Sequence, residues 1–148
     1  ANNYNEIIDF AIEREHEAIR FYREMQEIAK FASQREMLEE IRKMEESHAK
    51  LLASMKKKSP EVLRNRAVEW FEPESYLVEA PPTAEMNLQQ ILITAMKREE
   101  RSYALYTELK QQTDSEELRH TFDVLAGEET QHKKLFQEMY DQQVRPDN

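Results

Sequence analysis

Cysteine is absent from this sequence and glycine occurs once, and each scarcity excludes a group of structures. Without cysteine there is no disulfide framework, thiolate zinc site, iron–sulfur cluster or cysteine nucleophile, so any bound metal must have oxygen and nitrogen ligands. One glycine and five prolines supply too little material for the tight turns of an all-β or α/β protein. The 148 residues therefore predict one mostly helical domain.

Long hydrophobic runs and an excess of positive charge are also missing. The longest apolar run lies around residues 91–96 and is interrupted by Thr94, far short of the roughly 20 residues of a membrane span. The net charge of −9 disfavours binding to nucleic acid or to anionic membranes. The first residues lack the basic and apolar regions of a secretory signal, which predicts a cytoplasmic protein.

Apolar residues recur at alternating steps of three and four in four segments, which is typical of helices that bury one face. Pairs with capping-box spacing stand near the four starts: Asn3 with Glu6, Ser33 with Glu36, Asn87 with Gln90, and Asp114 with Glu117. Short links join the first helix to the second and the third to the fourth, so each pair forms an antiparallel hairpin. The pattern predicts an all-α four-helix bundle, with helices over 3–31, 33–57, 87–112 and 114–142.

The link over about residues 58–86 is much longer than the other two. It contains four prolines and two adjacent aromatic residues: Pro60, Pro73, Pro81, Pro82, Trp70 and Phe71. A connection of this length is typical of a crossover that runs along a bundle, so that the third helix starts at the far end. Within it, we expect a short helix over Val62–Phe71 and expect Trp70 and Phe71 to anchor the crossover by packing.

The sequence repeats itself after 84 residues. The shift superimposes both apolar and polar residues: Ala11 on Ala95, Glu15 on Glu99, Tyr22 on Tyr106, Ile41 on Leu125, Glu45 on Glu129 and His48 on His132. An internal repeat of one helical hairpin accounts for this pattern.

Six of these residues are polar but occupy the apolar seams, where a buried charge is costly. They are Glu15, Glu45, His48, Glu99, Glu129 and His132. Each glutamate falls about 12 to 15 residues from its helix start, or roughly 20 Å along the axis, so antiparallel helices would bring all four to one layer. Four carboxylates in one buried layer need countercharge, which two divalent cations would supply together with two neutral imidazoles.

The spacing of the histidines supports the metal hypothesis. A Glu-x-x-His sequence presents both side chains to one metal from a single helix face, and di-iron sites in helical bundles use this element twice. Oxygen and imidazole ligands suit iron or manganese, and zinc is a further alternative. The metal-free alternative is a bundle core in which these polar side chains hydrogen-bond to one another.

These motifs resemble the rubrerythrin and ferritin-like di-iron family. The repeated A-x-x-x-E-x-x-[AS]-x-x-x-Y of the first and third helices and the E-x-x-H of the second and fourth carry the resemblance over nearly the whole chain. It implies a ferritin-like bundle around a carboxylate-bridged pair of iron ions that reacts with O2 or hydrogen peroxide. The implied roles are terminal or chelating ligands for Glu15 and Glu99, bridges for Glu45 and Glu129, and one iron each for His48 and His132.

Other positions match the family less completely. Tyr22 and Tyr106 resemble the family's tyrosines beside the metal ligands, although ordinary aromatic packing would explain them equally. Rubrerythrins often have a further glutamate at the position of Ser102, where it takes part in redox-dependent iron movement. The chain also lacks a cysteine-ligated rubredoxin domain, so turnover would need an external electron donor. His16 and His120 lie off the seams, and we expect both on the surface.

The resemblance implies an oxidoreductase that resembles a rubrerythrin peroxidase. Two alternatives stay open: a ferroxidase-like protein that handles iron without turnover, and a structural helical bundle with zinc or no metal. We also expect a homodimer, in which the long crossover would allow the last two helices to be swapped between chains.

Overall fold

A computed structural model of the chain describes residues 2–59, 61, 67–80 and 83–144. Four long helices account for most of them: α1 (Tyr4–Ile28), α2 (Ala32–Lys58), α3 (Leu88–Gln112) and α4 (Glu116–Gln143). The short elements are two strands, β1 (Asn2–Asn3) and β2 (Ala67–Val68), and two 3-10 turns, Pro73–Tyr76 and Thr83–Glu85. The predicted all-α, four-helix fold class is confirmed, and every helix end lies within three residues of its predicted position.

The first compact unit, Ala1–Pro73, contains the hairpin of α1 and α2. The two helices run antiparallel, and an ion pair of 2.6 Å joins Lys56 Nζ near the end of α2 to Asp9 Oδ1 near the start of α1. β1 and β2 pair in antiparallel fashion beside the hairpin. The Phe71 ring is buried and lies edge-on to Phe10, with 5.1 Å between centroids, so it packs against α1 as predicted.

The second compact unit, Glu74–Asn148, contains the hairpin of α3 and α4. Ion pairs of 2.7 Å join Lys110 to Asp123 and Lys133 to Glu100, which fixes the antiparallel direction of the two helices. The predicted hairpins are therefore both present. The prediction that the chain forms a single bundle domain stays a prediction.

The helix starts follow the sequence signals in two of four cases. Asn3 and Asn87 each form a complete capping box with the residue three positions later. Ser33 was predicted to cap α2, and this prediction was wrong. The helix begins one residue earlier than predicted, so Phe31 occupies the N-cap position, and its side chain makes no capping hydrogen bond. The Phe31 carbonyl oxygen instead accepts hydrogen bonds from the backbone N–H groups of Gln34 and Arg35.

At the start of α4 the predicted cap, Asp114 with Glu117, was also wrong. Ser115 occupies the cap position, and its hydroxyl accepts the Leu118 backbone N–H at 3.3 Å. The cap is therefore the Ser115 hydroxyl and not the Asp114 carboxylate, because the capping side chain belongs to the residue immediately before the helix, from which it reaches the free N–H groups of the first turn.

The predicted short helix over Val62–Phe71 is wrong for its second half, and residues 62–66 lie outside the described part of the chain. Ala67–Val68 is a strand, because its backbone pairs with Asn2–Asn3, and the two residues after it form a bend. Pro73 disfavours helical backbone in the residue before it. None of the described helices is apolar over a long enough stretch to cross a membrane.

Candidate metal centre

Three of the six predicted ligands lie together in the first hairpin. Glu15 projects from the middle of α1, and Glu45 and His48 project from one face of α2 because they are three residues apart. His48 Nδ1 lies 3.6 Å from a Glu15 carboxylate oxygen and 3.7 Å from one of Glu45. One imidazole therefore faces carboxylates from both helices of the hairpin.

The second hairpin repeats this arrangement. His132 Nδ1 on α4 lies 3.7 Å from a carboxylate oxygen of Glu99 on α3 and 3.9 Å from one of Glu129, three residues before it. The two copies of the sequence repeat therefore place their histidine and two glutamates in similar positions relative to one another. We call Glu15, Glu45 and His48 the first triad, and Glu99, Glu129 and His132 the second triad.

Both triads are removed from solvent. The exposed fraction of all six residues lies between 0 and 5%. Burial of an ionised carboxylate lowers the stability of the folded chain by several kcal/mol unless an opposite charge or hydrogen bonds compensate it. Two carboxylates beside one imidazole leave a net negative charge in each triad even if the imidazole is protonated, so each triad favours a cation.

The spacing of the donor atoms in each triad suits a metal ion. The four distances from a histidine Nδ1 atom to a carboxylate oxygen lie between 3.6 and 3.9 Å. In each triad the three candidate ligand atoms lie within 4.8 Å of one another. Converging carboxylate and imidazole donors are the ligand types that iron, manganese and zinc accept, so the donor set fits a divalent cation.

Tyr22 and Tyr106 are both buried, which agrees with a position beside the candidate ligands and equally with ordinary aromatic packing. The Tyr22 ring lies edge-on to Phe21, with 5.7 Å between centroids. His16 and His120 are exposed, as expected; His16 lies 4.0 Å from Glu13 on its own helix. Ser102 is half-buried on α3.

The sequence pattern did not reveal one contact beside the second triad. Lys133 follows His132, Glu100 follows Glu99, and the two form the 2.7 Å ion pair between α4 and α3. The positions equivalent to them in the first hairpin are Ala49 and His16, so the pair breaks the internal repeat. The available signal was the pair of opposite charges that directly follows the candidate ligands Glu99 and His132. Because both side chains are about half exposed, the pair contributes little to stability.

Comparison with known families agrees with this geometry. The family model for rubrerythrin matches residues 6–140. The chain belongs to the rubrerythrin family. No curated protein and no solved structure matches it. The match covers both triads and most of each of the four helices, and a rubrerythrin with buried Glu and His clusters fits a di-iron protein.

Proposed function

We propose that the chain is a di-iron protein whose iron reacts with O2 or hydrogen peroxide, so that it removes peroxide during oxidative stress. The observation that carries the proposal is the burial of two equivalent Glu2His triads in a member of the rubrerythrin family. Each triad would hold one iron ion. Bridging by Glu45 and Glu129, and terminal ligation by Glu15 and Glu99, are part of the proposal.

Charge balance supports two divalent ions. Four carboxylates carry four negative charges, and two Fe2+ ions carry four positive charges, so the loaded core is neutral if both imidazoles are neutral. The imidazole nitrogens then serve as ligands rather than as proton donors. Iron, when bound, supplies the electrons that reduce O2 or peroxide.

The protein's own residues hold and shield the metal. The ligands come from the middle of long helices, where backbone hydrogen bonds fix their positions better than a loop would. Buried apolar residues such as Leu38, Leu52, Phe122 and Phe136 lie on the same helices as the Glu-x-x-His pairs and restrict water. Tyr22 and Tyr106 are proposed to lie close to the metals.

Ferroxidase-like iron handling is the second candidate. One observation favours it: Ser102 stands where rubrerythrins often have a further glutamate. In that case the iron would be oxidised once and passed on.

Anaerobic loading with Fe2+, followed by metal analysis and a peroxide titration, tests both candidates. The proposed function requires about two irons per chain and repeated peroxide consumption when a chemical reductant is supplied. Oxidation that stops after one equivalent per site, with reductant present, favours iron handling. A protein that keeps zinc or remains metal-free after exposure to excess Fe2+ contradicts both and favours a structural bundle.

A further inference from the structure

A methionine sulfur and a buried hydroxyl meet at the start of α3. Met86 immediately precedes Asn87, the residue that caps this helix, and its backbone N–H donates to the Thr83 carbonyl at 3.1 Å. The Oγ1 atom of Thr94, eight residues further on, lies 3.7 Å from Met86 Sδ in a geometry that allows the hydroxyl to donate to the sulfur. Thr94 is 8% exposed, whereas Met86 is half-buried. The contact therefore joins a buried donor to a side chain that small solutes can reach.

The Thr94 hydroxyl has a second acceptor, the Gln90 carbonyl, at 2.8 Å. In an α-helix this carbonyl already accepts the backbone N–H of Thr94, four residues later, so the bond from the hydroxyl is an additional one. A hydroxyl has one proton to donate, and a thioether sulfur is a weak acceptor, so the proton lies toward Gln90 while Met86 is a thioether. A stronger acceptor on Met86 would attract that proton at little cost to the helix.

The contact between Met86 and Thr94 is not part of the internal repeat. The equivalent positions in the first hairpin are Asn2 and Phe10, and the Phe10 ring packs on Phe71 instead. Both hairpins contain the same three candidate ligands, but only one of them has a methionine and a threonine at these positions. Neither the duplication of the hairpin nor the triads therefore account for the contact.

Met86 stands where a polar modification affects the start of a helix. The residue before the N-cap and the fourth residue of the helix, here Met86 and Ile91, are the positions of a hydrophobic staple, which fixes how the chain enters a helix. Ile91 is 2% exposed. Oxidation turns a flexible apolar methionine into a polar sulfoxide and disrupts apolar contacts. Without a hydrogen-bond donor, a sulfoxide at this position would weaken the start of α3, the helix that carries Glu99.

We propose that Met86 is an oxidation site for hydrogen peroxide, and that Thr94 makes its sulfoxide compatible with the fold. The Met86 sulfur donates a lone pair to one peroxide oxygen and the O–O bond breaks. The proton on the transferred oxygen passes to the leaving hydroxide, which departs as water, so the sulfur loses two electrons and the peroxide gains two. The new sulfoxide oxygen accepts a hydrogen bond from the Thr94 hydroxyl, which turns away from Gln90. The reaction needs no metal, so the inference does not depend on the proposed function.

Peptide mapping by mass spectrometry tests whether Met86 is the site. The full chain is treated with hydrogen peroxide in the presence of a chelator, which excludes oxidation driven by iron. Met86 should be oxidised in the folded protein, whereas Met25, which is 3% exposed, should be oxidised only after unfolding in urea. Met44, at 38% exposed, is the reference for an ordinary surface methionine. A Met86 that stays reduced while Met44 is fully oxidised overturns the proposal.

Urea unfolding tests the role of the Thr94 hydroxyl. Leucine at three positions leaves Met86 as the only methionine that is not buried: Met37→Leu, Met44→Leu and Met96→Leu. In this background, peroxide treatment should change the equilibrium constant for unfolding by less than about twofold. With Thr94→Val added, the same treatment should raise that constant about fivefold or more, because the sulfoxide oxygen then lacks its hydrogen bond.

Thr130→Val is the matched control for the loss of a threonine hydroxyl. The Thr130 hydroxyl also donates to the carbonyl four residues earlier, that of Ala126, at 3.2 Å. This substitution should leave the small effect of oxidation unchanged. An equal effect of oxidation with Thr94 and with Thr94→Val, or a large loss of stability on oxidation with Thr94 intact, overturns the proposal.

Met86→Gln gives a second measurement that needs no peroxide, since the glutamine side chain has a strong oxygen acceptor. Beside Thr94 this variant should unfold with nearly the equilibrium constant of the wild type. Combined with Thr94→Val, it should raise the constant about fivefold relative to Thr94→Val alone. Equal effects of Met86→Gln in the two backgrounds contradict the proposal. Failure of the chain to bind iron would contradict the proposed function and leave all of these results unchanged.

Discussion

The Nδ1 atom of His132 lies 3.7 Å from a carboxylate oxygen of Glu99 on the opposite helix of its hairpin. The first hairpin reproduces this relationship with His48 and Glu15, at 3.6 Å. Each hairpin thus brings two carboxylates and an imidazole together from its own residues. If the proposed ligands are correct, the two metal positions can be emptied one at a time.

Removing one histidine should remove one metal. His48→Ala and His132→Ala should each lower the bound iron from about two ions per chain to about one, because a single neutral ligand is lost from one triad. Metal analysis after anaerobic loading and gel filtration measures this. His16→Ala removes an exposed histidine next to a ligand and should keep full occupancy. Glu45→Ala should also lose at least one metal, and unchanged stoichiometry in that variant would falsify the ligand assignment.

Metal binding should stabilise the folded chain. Because the ions bind the folded triads and not the unfolded chain, each ion at about 100 times its dissociation constant adds about 2.7 kcal/mol to the free energy of unfolding. Thermal unfolding of the iron-loaded protein with and without a chelator measures the difference. The double variant Glu45→Ala/Glu129→Ala should unfold at the same temperature in both conditions. Equal stability of the loaded and chelator-treated wild type would exclude tight binding in the core.

The only glycine in the chain, Gly127, lies in the interior of α4, two residues before Glu129. Its backbone has no positive φ, and a Cβ added there meets no atom within 4 Å. Gly127→Ala should therefore raise the free energy of unfolding by about 0.5–1 kcal/mol, since alanine loses less backbone entropy in a helix. Urea unfolding measures the change. Ala104→Gly, at an exposed position of α3, should lower stability by a similar amount; a destabilised Gly127→Ala variant would reveal a close contact at this position.

Loss of a side chain that forms a capping box should lower the free energy of unfolding, whereas loss of a side chain at a wrongly predicted cap should not. Asn87→Ala should destabilise the chain by about 1 kcal/mol, because the Asn87 side chain accepts the Gln90 backbone N–H at 2.8 Å. Ser33→Ala should change stability by less than about 0.5 kcal/mol, since α2 begins before it. Urea unfolding of both variants makes the comparison. A larger loss for Ser33 than for Asn87 would mean that α2 starts later than described.

Asp123 should titrate below the ordinary aspartate range. A hydrogen bond from Lys110, together with the lysine charge, lowers the pKa of Asp123 from its ordinary value of 3.8. Since the folded pKa is the lower one, the stabilising effect is present above the unfolded pKa and disappears as the pH falls through the folded pKa. Lys110→Met should return the pKa of Asp123 to its usual range in an NMR titration. Lys133→Met, on the same hairpin, should leave it unchanged.

The sequence predicted the helices well because their signals are local and repeated. Heptad-like spacing located all four helices, and Asn3 and Asn87 marked two starts correctly. The cap at Ser33 could not be distinguished from that at Phe31, since several residues before a helix can begin it and tertiary packing decides among them. The pairing of β1 with β2 was missed because two-residue strands have no periodicity and Asn is depleted in strands.

The candidate ligands were identified because polar residues interrupted an apolar seam at equal repeat positions. All six are buried, and the structure brings Glu15 to His48 and Glu99 to His132. The Lys133–Glu100 ion pair was missed because it lies outside the repeat. Periodicity gives the side of a helix on which a residue lies, whereas contacts between the outer edges of two helices depend on how their surfaces meet.

The separation of the candidate ligands along the chain has a consequence for the order in which the protein folds. Glu15 and His48 are 33 residues apart, and so are Glu99 and His132. Chains dominated by such local contacts close in microseconds to milliseconds, faster than chains that must first join distant segments. Each hairpin can therefore bring its own three candidate ligands together early and independently of the other. A ribosome that has released the first hairpin has already produced a Glu2His set, well before the second Glu-x-x-His is synthesised.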